Sequence, residues 1–473
     1  MTLTIDSGTL AHHGWGGIHT SGTSGTDFDV IIIGGGPAGS TTGALLGMAG
    51  YRALILEKDI HPRDHVGESI TPSTNPVFKR IGFLEKMEDA QFVHKPGACW
   101  TAPRSPVGKF VSLRLGEFPP PGTTQVYTYN VERDHFDTLL LRNAHEKGAK
   151  VLQGVKAKHV LFDGDRAVGV RAEVAEGWER DLASRFVVDA SGRRALIPNQ
   201  LKMKKKDPAF NQFCIYSWFR DVAPNPVGYE GMLFLHFLDL ERSWAWQIPM
   251  RNGITSVGVV TDKADFQKSG KSSEEFFSSL LRLNTSFEYN MRNAERIRPW
   301  WIEADYSYSI DQLVGPGWLL VGDALRFVDP VFSTGVDVAM FSGNYAFEAI
   351  DSVLKGEKDE GTALTEYNER VGAGVQAWYD LISLFYKLRN LFTIFAVKKR
   401  WRERVVRILQ GNLYQPDALE RAREMIAVME ESFQKIQRDP DNLLRPGALI
   451  ELAERDKLAG GDDPSPTMAE TRS

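Results

Sequence analysis

The chain has 473 residues, with 56 Lys and Arg against 61 Asp and Glu, a net charge of -5, 42% hydrophobic residues and 25% charged ones. This is the make-up of a globular protein of two or three structural units, without the basic surplus of a nucleic-acid-binding protein. Two cysteines, Cys99 and Cys214, exclude a disulfide framework, no Cys/His cluster has zinc spacing, and no metal is expected. Residues 1–27, rich in Gly, Ser, Thr and His, lack the basic start and apolar run of a signal peptide and are expected to form a disordered arm. The best membrane candidate, LISLFYKLRNLFTIFAV, is interrupted by Lys387 and Arg389 and is short for a span. A cytoplasmic protein without an integral membrane span is the expectation.

The first ordered element is DFDVIIIGGGPAGSTTGALLGMAGYRALILEK. An apolar strand, Val30 to Ile33, leads into a turn with Gly34, Gly36 and Gly39, then a small-residue helix from about Pro37 to Ala49. A second strand, Ala53 to Leu56, ends on Glu57. Gly34 permits the tight turn, Gly36 lets a pyrophosphate approach the backbone, and Gly39 lets the helix pack close to the sheet. The helix start, at Ala38, offers free N–H groups and a positive dipole to phosphates, and Glu57 is placed to accept hydrogen bonds from a ribose. Strand, turn, helix, strand and acid in this order predict a dinucleotide site.

Next come DHVGES (Asp64 to Ser69), FVHKPGACW around Lys95, the alternating run TTQVYTYNV, and VERDHFDTLLLRNA, which contains Arg133. VVDASGRR is an apolar strand ending at Asp189. FNQFCIYSWFRDV and GMLFLHFLDLERSWAWQIPMRNGITSVGVVT alternate apolar and polar residues and predict antiparallel strands. Within them SWAWQIPM sets Trp244, Trp246 and Ile248 on one face and stops at Pro249. Core packing alone accounts for such spacing. GWLLVGDALRFVDPVFSTGVDVAM is a strand ending at Gly322 and Asp323, then a loop and a small-residue helix. From about residue 351 the pattern is helical to about 436, and it includes the cations Lys398, Lys399, Arg400, Arg402, Arg404 and Arg407.

The order of GxGxxG, VVDASGRR and the Gly322–Asp323 strand–loop–helix resembles the FAD-dependent monooxygenase superfamily of para-hydroxybenzoate hydroxylase type. That resemblance implies an FAD site made of Gly34, Gly36, Ala38, Gly39, Glu57, Lys58, Arg63, Ser69, Arg133, Ala157, Asp189, Gly322, Asp323 and Pro330. It implies an α/β fold with a Rossmann-like FAD-binding domain, discontinuous over about 28–93, 131–200 and 305–350. An antiparallel β-sheet substrate lobe (about 94–130 and 201–304) interleaves with it, followed by a helical C-terminal region (351–450) and a disordered tail (451–473).

Three stretches are more specific. SWAWQIPM resembles the WxWxIP motif of flavin-dependent halogenases, FVHKPGACW resembles the segment carrying their essential lysine, here Lys95, and FVDPVFSTG fits their Phe, Pro, Ser, Gly spacing. The resemblance implies that reduced FAD and O2 form a flavin C4a-hydroperoxide that chloride or bromide attacks. The hypohalous acid then reaches Lys95, and the halogen passes to an electron-rich ring. Trp244, Trp246, Pro249 and Phe332 would wall off the organic substrate, and backbone N–H groups at Thr334 and Gly335 would hold the halide. Tryptophan-acting members carry a glutamate where this chain has Phe332, so a phenol- or pyrrole-type substrate is expected, free or tethered to an acyl or peptidyl carrier protein. The basic C-terminal helices read as a lid over the substrate, as a dock for an acidic carrier, or as a solvated charged face. No second Gly-rich fingerprint is evident, so a partner flavin reductase is expected to supply reduced FAD. An aromatic hydroxylase, a prenyl-chain reductase of the same superfamily and a flavin-binding scaffold without chemistry stay open at this level.

Overall fold

The apolar run that opens the ordered chain becomes the strand Phe28–Ile33, buried at five of six positions. A strand apolar on both faces belongs in the middle of a parallel sheet covered on both sides. In the computed structural model it does lie there, between Ala53–Glu57 and Trp178–Asp189, both parallel to it. Lys150–Gln153 extends the sheet on one side and Trp318–Leu320 on the other, again parallel, and Val314–Gly315 closes the edge antiparallel. Val155–Asp163 and Arg166–Val174 form an antiparallel extension that runs into the first half of Trp178–Asp189. Helix Pro37–Met48 buries ten of its twelve residues because it packs between helices Arg133–Glu146 and Gly335–Leu354. The structure describes residues 26–119, 125–174, 177–304, 307–411, 413–440, 442 and 444. All but the last two residues of the expected N-terminal arm, and the whole expected C-terminal tail, lie outside them.

The second sheet runs Glu295–Arg296, Gln212–Arg220, Thr255–Asp262, Trp244–Pro249, Leu233–Phe237, Gly97–Thr101, Val111–Arg114, with Trp301–Ala304 also paired to Gln212–Arg220. It departs from the expected antiparallel arrangement at one seam, where Leu233–Phe237 and Gly97–Thr101 run parallel. These strands are more than a hundred residues apart in sequence, so no hairpin turn dictates their direction. TTQVYTYNV also departs from expectation. Its strand, Thr128–Asn130, stays out of this sheet and forms a two-stranded ribbon with Val93–Lys95.

Side-chain alternation divides the strand Trp244–Pro249 between two cores. Ala245 joins Ile215, Val257 and Val259 under the helices Ser273–Leu281 and Thr285–Met291. Trp244, Trp246 and Ile248 face the other way, into the main core. There the sheet meets the C-terminal helices Glu360–Val397, Lys399–Leu409 and Pro416–Arg438. The first is 38 residues long and bends at Leu388 (φ -128°, ψ 28°). Arg402 clamps this unit to the second sheet through Glu117 (2.7 and 2.8 Å) and the Ser112 carbonyl, and Gln410 donates to the carbonyls of Leu115 and Phe118. Among the described residues no helix is long and apolar enough to cross a membrane.

The Trp246 indole lies directly on the neighbouring strand at Gly258, where a Cβ would stand 2.3 Å from Trp246 Cζ2 and 2.5 Å from Tyr216 Cβ. Gly258→Ala is therefore expected to destabilise the protein by ~1–3 kcal/mol through overpacking, read as a lowered urea midpoint. An unchanged midpoint would mean that the ring is free to move aside.

Candidate active site

A cavity of about 450 Å³ opens where the C-terminal ends of the parallel strands face the second sheet. This is where open α/β sheets bind their ligands, and the size suits a cofactor or small-molecule site. Of the residues singled out from sequence, Gly34, Gly36, Ala38, Glu57, Lys58, Arg63, Ser69, Arg133, Ala157, Gly322, Asp323 and Pro330 line it. Trp244, Trp246 and Gly335 line it too, so the indoles share one chamber with the nucleotide-type turn.

The remaining sequence candidates lie around this chamber. Gly39 packs the helix onto the turn, since a Cβ there would meet the Gly34 carbonyl at 2.0 Å. Asp189 is fully buried beneath the chamber and accepts from the N–H groups of Ser191 (3.0 Å) and Ile197 (2.7 Å), so its neighbours Ala190 to Arg194 form the wall. Pro249 ends its strand, its carbonyl accepting from Asn130 at 3.1 Å. Thr334 is the buried N-cap of helix Gly335–Leu354. Phe332 turns outward onto Trp378, Phe385 and Phe392 of the C-terminal helix.

At the turn end, Glu57 accepts from the N–H groups of Gly35 (2.7 Å) and Asp59 (2.9 Å), which orients its carboxylate along the chamber. Arg133 is gripped by Asp137 (2.8 and 3.0 Å) and donates to the Val66 carbonyl (2.6 Å), tying the DHVGES loop to its own helix. Desolvation of the partly buried Asp323 pushes its carboxyl up to about 6 against the pull of the Arg193 and Arg133 guanidiniums. Ser69 has a buried hydroxyl with no partner among the described residues. An orphaned hydroxyl, a side-chain-free Gly36 at a helix start and an acid at the end of the second strand fit a dinucleotide such as FAD. Its phosphates would lie on the Gly36–Ala38 turn, its ribose at Glu57, and its remaining polar edge between Ser69, Arg133 and Asp323.

On the opposite wall, hydrogen bonds fix both indoles. Trp246 Nε1 donates to Ser256 Oγ (3.1 Å), which donates to Glu68 (3.0 Å), and Trp218 Nε1 donates to the same carboxylate oxygen (3.3 Å). Burial pushes the Glu68 carboxyl up. Trp244 Nε1 donates to the Tyr386 hydroxyl (2.7 Å), which donates to Asp329 (2.9 Å). Burial raises Asp329 to about 7.

Lys95 lies outside the cavity, on the ribbon behind it. The side chain is buried and Nζ donates to the Ile70 carbonyl at 3.0 Å. Among the described residues no carboxylate pairs with it, and desolvation alone pushes its amine down to about 7. Ile70 directly follows Ser69, so a single chain segment separates the amine from the chamber. On this side too is Asp337, fully buried and hydrogen-bonded by Thr71 (3.2 Å) and Ser73, with a Gly411 so close that a Cβ there would stand 2.3 Å from Ser73 Oγ.

Sequence reasoning missed Glu68, Arg193, Glu303, Asp329 and Tyr386. Glu68 and Arg193 stood inside the quoted stretches DHVGES and VVDASGRR, and a buried-acid reading of the first would have found one of them. Glu303, paired with Arg193 across the cavity mouth, and Tyr386 on the far helix carry no local signal.

The model of the family described as tryptophan halogenase matches residues 29–112 and 98–410. The chain is 38% identical over 439 residues, 88% of its length and 95% of the other's, to a 1H-pyrrole-2-carbonyl-[peptidyl-carrier protein] chlorinase of Pseudomonas fluorescens. It is 32% identical over 387 residues, 81% and 92% of the two lengths, to the corresponding brominase of Pseudoalteromonas luteoviolacea. Among solved structures, the flavin-dependent brominase Bmp2 superposes with a TM-score of 0.78 at 28% identity, covering 87% of this chain and 99% of that one.

The burial of Lys95 makes stability pH-dependent with a definite sign. Its native value of about 7 lies below the ordinary 10.5, so between those pH values the unfolded chain holds the extra proton and stability rises with pH. Lys95→Met removes that titration at nearly constant volume. We expect the variant to be more stable than the wild type at pH 7, on the order of 3 kcal/mol, and the gap to shrink towards pH 10. Urea unfolding at the two pH values measures it, and a pH-independent gap would show that Lys95 stays charged in the fold.

Proposed function

The chain belongs to the tryptophan halogenase family, and on that premise we propose that it halogenates an electron-rich ring, of pyrrole or phenol type, held as an acyl group on a carrier protein. It is an FAD-dependent halogenating enzyme. The observation that carries the finer reading is the position of Lys95: a buried amine with no carboxylate partner among the described residues, one chain segment behind a flavin-sized chamber walled by indoles. The two carrier-protein halogenases to which the chain is similar support the choice of substrate, as does the position before Ser333, where Phe332 packs among aromatic rings and no acid stands.

Held by the Gly36–Ala38 turn, Glu57, Ser69, Arg133 and Asp323, reduced FAD from a partner flavin reductase would supply, with O2, the two-electron oxidation of chloride or bromide to hypohalous acid. The protein's part is placement. The N–H groups at Thr334 and Gly335, at the start of a 20-residue helix, hold the halide beside the chamber. Trp244 and Trp246, with Pro249 closing their strand, exclude a ring-sized molecule and admit an ion. Lys95, with its amine brought down to about 7 and so uncharged in a large share of molecules near neutral pH, attacks the halogen of hypohalous acid. An N–H becomes N–X, and water leaves with the displaced oxygen and proton. The ring carbon then takes the halogen and returns its proton, restoring the amine. Desolvation performs the activation, as for other nucleophilic lysines.

The C-terminal cations fall into two groups. Arg402 is committed to Glu117, Arg407 to Glu403, and Arg404 lies 3.8 Å from Glu424. Lys398, Lys399 and Arg400 are exposed, next to the exposed Ile394 (37%) and Val397 (54%). A basic rim around apolar side chains suits an acidic carrier protein, and we assign the dock to this corner.

Mass spectrometry of products tests the reading, with FAD, a flavin reductase, NADH, O2, halide and pyrrole-2-carbonyl loaded on a carrier protein. The wild type is expected to add halogen, recognised by its isotope pattern, and Lys95→Ala to lose at least about 100-fold of that activity. A gain of one oxygen instead would make the protein a hydroxylase. Trp244→Ala with Trp246→Ala is expected to let oxygenated or peroxide side products appear, and unchanged halogenation would return the strand to core packing. Lys398→Glu with Lys399→Glu is expected to raise KM about tenfold for the carrier-bound ring while sparing a small thioester analogue. Equal effects on both substrates would remove the dock.

A further inference from the structure

Three parts of the site come from distant stretches of chain: the indole wall at Trp244, the turn leading to Thr334 and Gly335, and the C-terminal helix behind them. We propose that Tyr386 is the positioning residue that sets the first two in register, its hydroxyl bridging the Trp244 indole and the Asp329 carboxylate.

The geometry is complete at every joint. Trp244 is 2% exposed, and its one polar atom, Nε1, donates to the Tyr386 oxygen at 2.7 Å. The same hydroxyl donates to Asp329 Oδ2 at 2.9 Å. The other oxygen of Asp329 accepts from the Val331 N–H at 3.0 Å and so caps the short turn Pro330–Phe332. That turn ends at Ser333 in a left-handed conformation (φ 58°), and the following residue starts the helix at Thr334 and Gly335. One hydroxyl therefore joins positions 142 residues apart on one side and 57 on the other.

Tyr386 has little freedom to place that oxygen elsewhere. Its ring is packed edge-on by Phe210 (5.6 Å) and Phe385 (5.6 Å), with the Arg242 guanidinium 5.5 Å from its centre. Phe332, two residues before Thr334, packs on Phe385 from the same helix. The C-terminal helix thus grips the turn by rings and by a hydrogen bond at once. Without the hydroxyl, the buried indole N–H and the buried carboxylate oxygen both lose their partner. Each then gains by rotating towards water or the chamber, because an unsatisfied buried polar group is costly. Either rotation disturbs the wall or the turn and lets the oxidant react before it is captured, so the residue governs how much of the O2 consumed ends as halogenated product.

This inference rests on the indole wall proposed above, and the test separates the two. Tyr386→Phe keeps every ring contact and removes only the oxygen. With 15N-labelled tryptophan, the Trp244 Nε1–H signal, assigned by its loss in Trp244→Phe, is followed without cofactor. We expect it in Tyr386→Phe to shift and to exchange with solvent at least tenfold faster. In turnover, the halogenated product formed per O2 is expected to fall at least threefold, with more hydrogen peroxide, at unchanged FAD affinity. The double variant Trp244→Phe, Tyr386→Phe is expected to lose no more coupling than the worse single one. Unchanged product per O2 in Tyr386→Phe, or losses that add in the double variant, overturn the positioning role. If Trp244→Phe and Trp244→Ala also leave product per O2 unchanged, the wall itself is overturned.

Discussion

The structure depends on one costly constraint, an amine kept out of water with no carboxylate beside it among the described residues. A surface lysine is a solvated cation of no use as a nucleophile. A lysine paired with a carboxylate keeps its proton. Lys95 avoids both because its side chain is buried on a ribbon strand paired with Thr128–Asn130, and a backbone carbonyl, at Ile70, is the acceptor its nitrogen reaches. The carbonyl orients the amine and adds no charge to hold its proton. Desolvation alone then brings the amine down to about 7, so that a large share of it is uncharged at physiological pH.

That constraint explains the interleaved topology. The cofactor chamber needs the C-terminal edge of a parallel sheet, where glycine turns and a helix start receive phosphates. The amine must be close to this chamber and shielded from it. The chain meets both needs by leaving the parallel sheet after Ala53–Glu57, running through DHVGES, and returning for the Arg133–Glu146 helix only after the Lys95 ribbon has been built. Ser69 and Ile70 thereby become the partition, one facing the chamber and the other holding the lysine. The Trp244–Pro249 strand completes the enclosure, since its alternation sends the small Ala245 to one core and two indoles to the other side.

How far the sequence could be read follows from the range of each interaction. The nucleotide turn was legible because its whole logic lies within about thirty residues, and most of its residues line the chamber. The Trp244 strand was legible as a strand, and its period correctly put both indoles on one face. The family resemblance, carried most specifically by three short stretches, was legible as a set. Longer-range features were not. No pattern in Leu233–Phe237 says that its neighbour runs parallel, and nothing in TTQVYTYNV separates a ribbon from a sheet strand. Asp189 looked like a ligand contact at a strand end, yet its carboxylate is spent on two backbone N–H groups. Arg402 looked like one cation in a basic run, yet it is a clamp to Glu117, because ion pairing across 285 residues leaves no local trace.

The central claim, that Lys95 carries the halogen between chamber and ring, can be tested by separating oxidation from transfer. The enzyme would receive one equivalent of reduced FAD with O2 and bromide but no organic substrate, be freed rapidly of small molecules, and only then be mixed with the electron-rich ring. Brominated product from the wild type, approaching one per enzyme, and none from Lys95→Met is the result expected of a halogen held on the amine. Product from Lys95→Met at the wild-type level would contradict it.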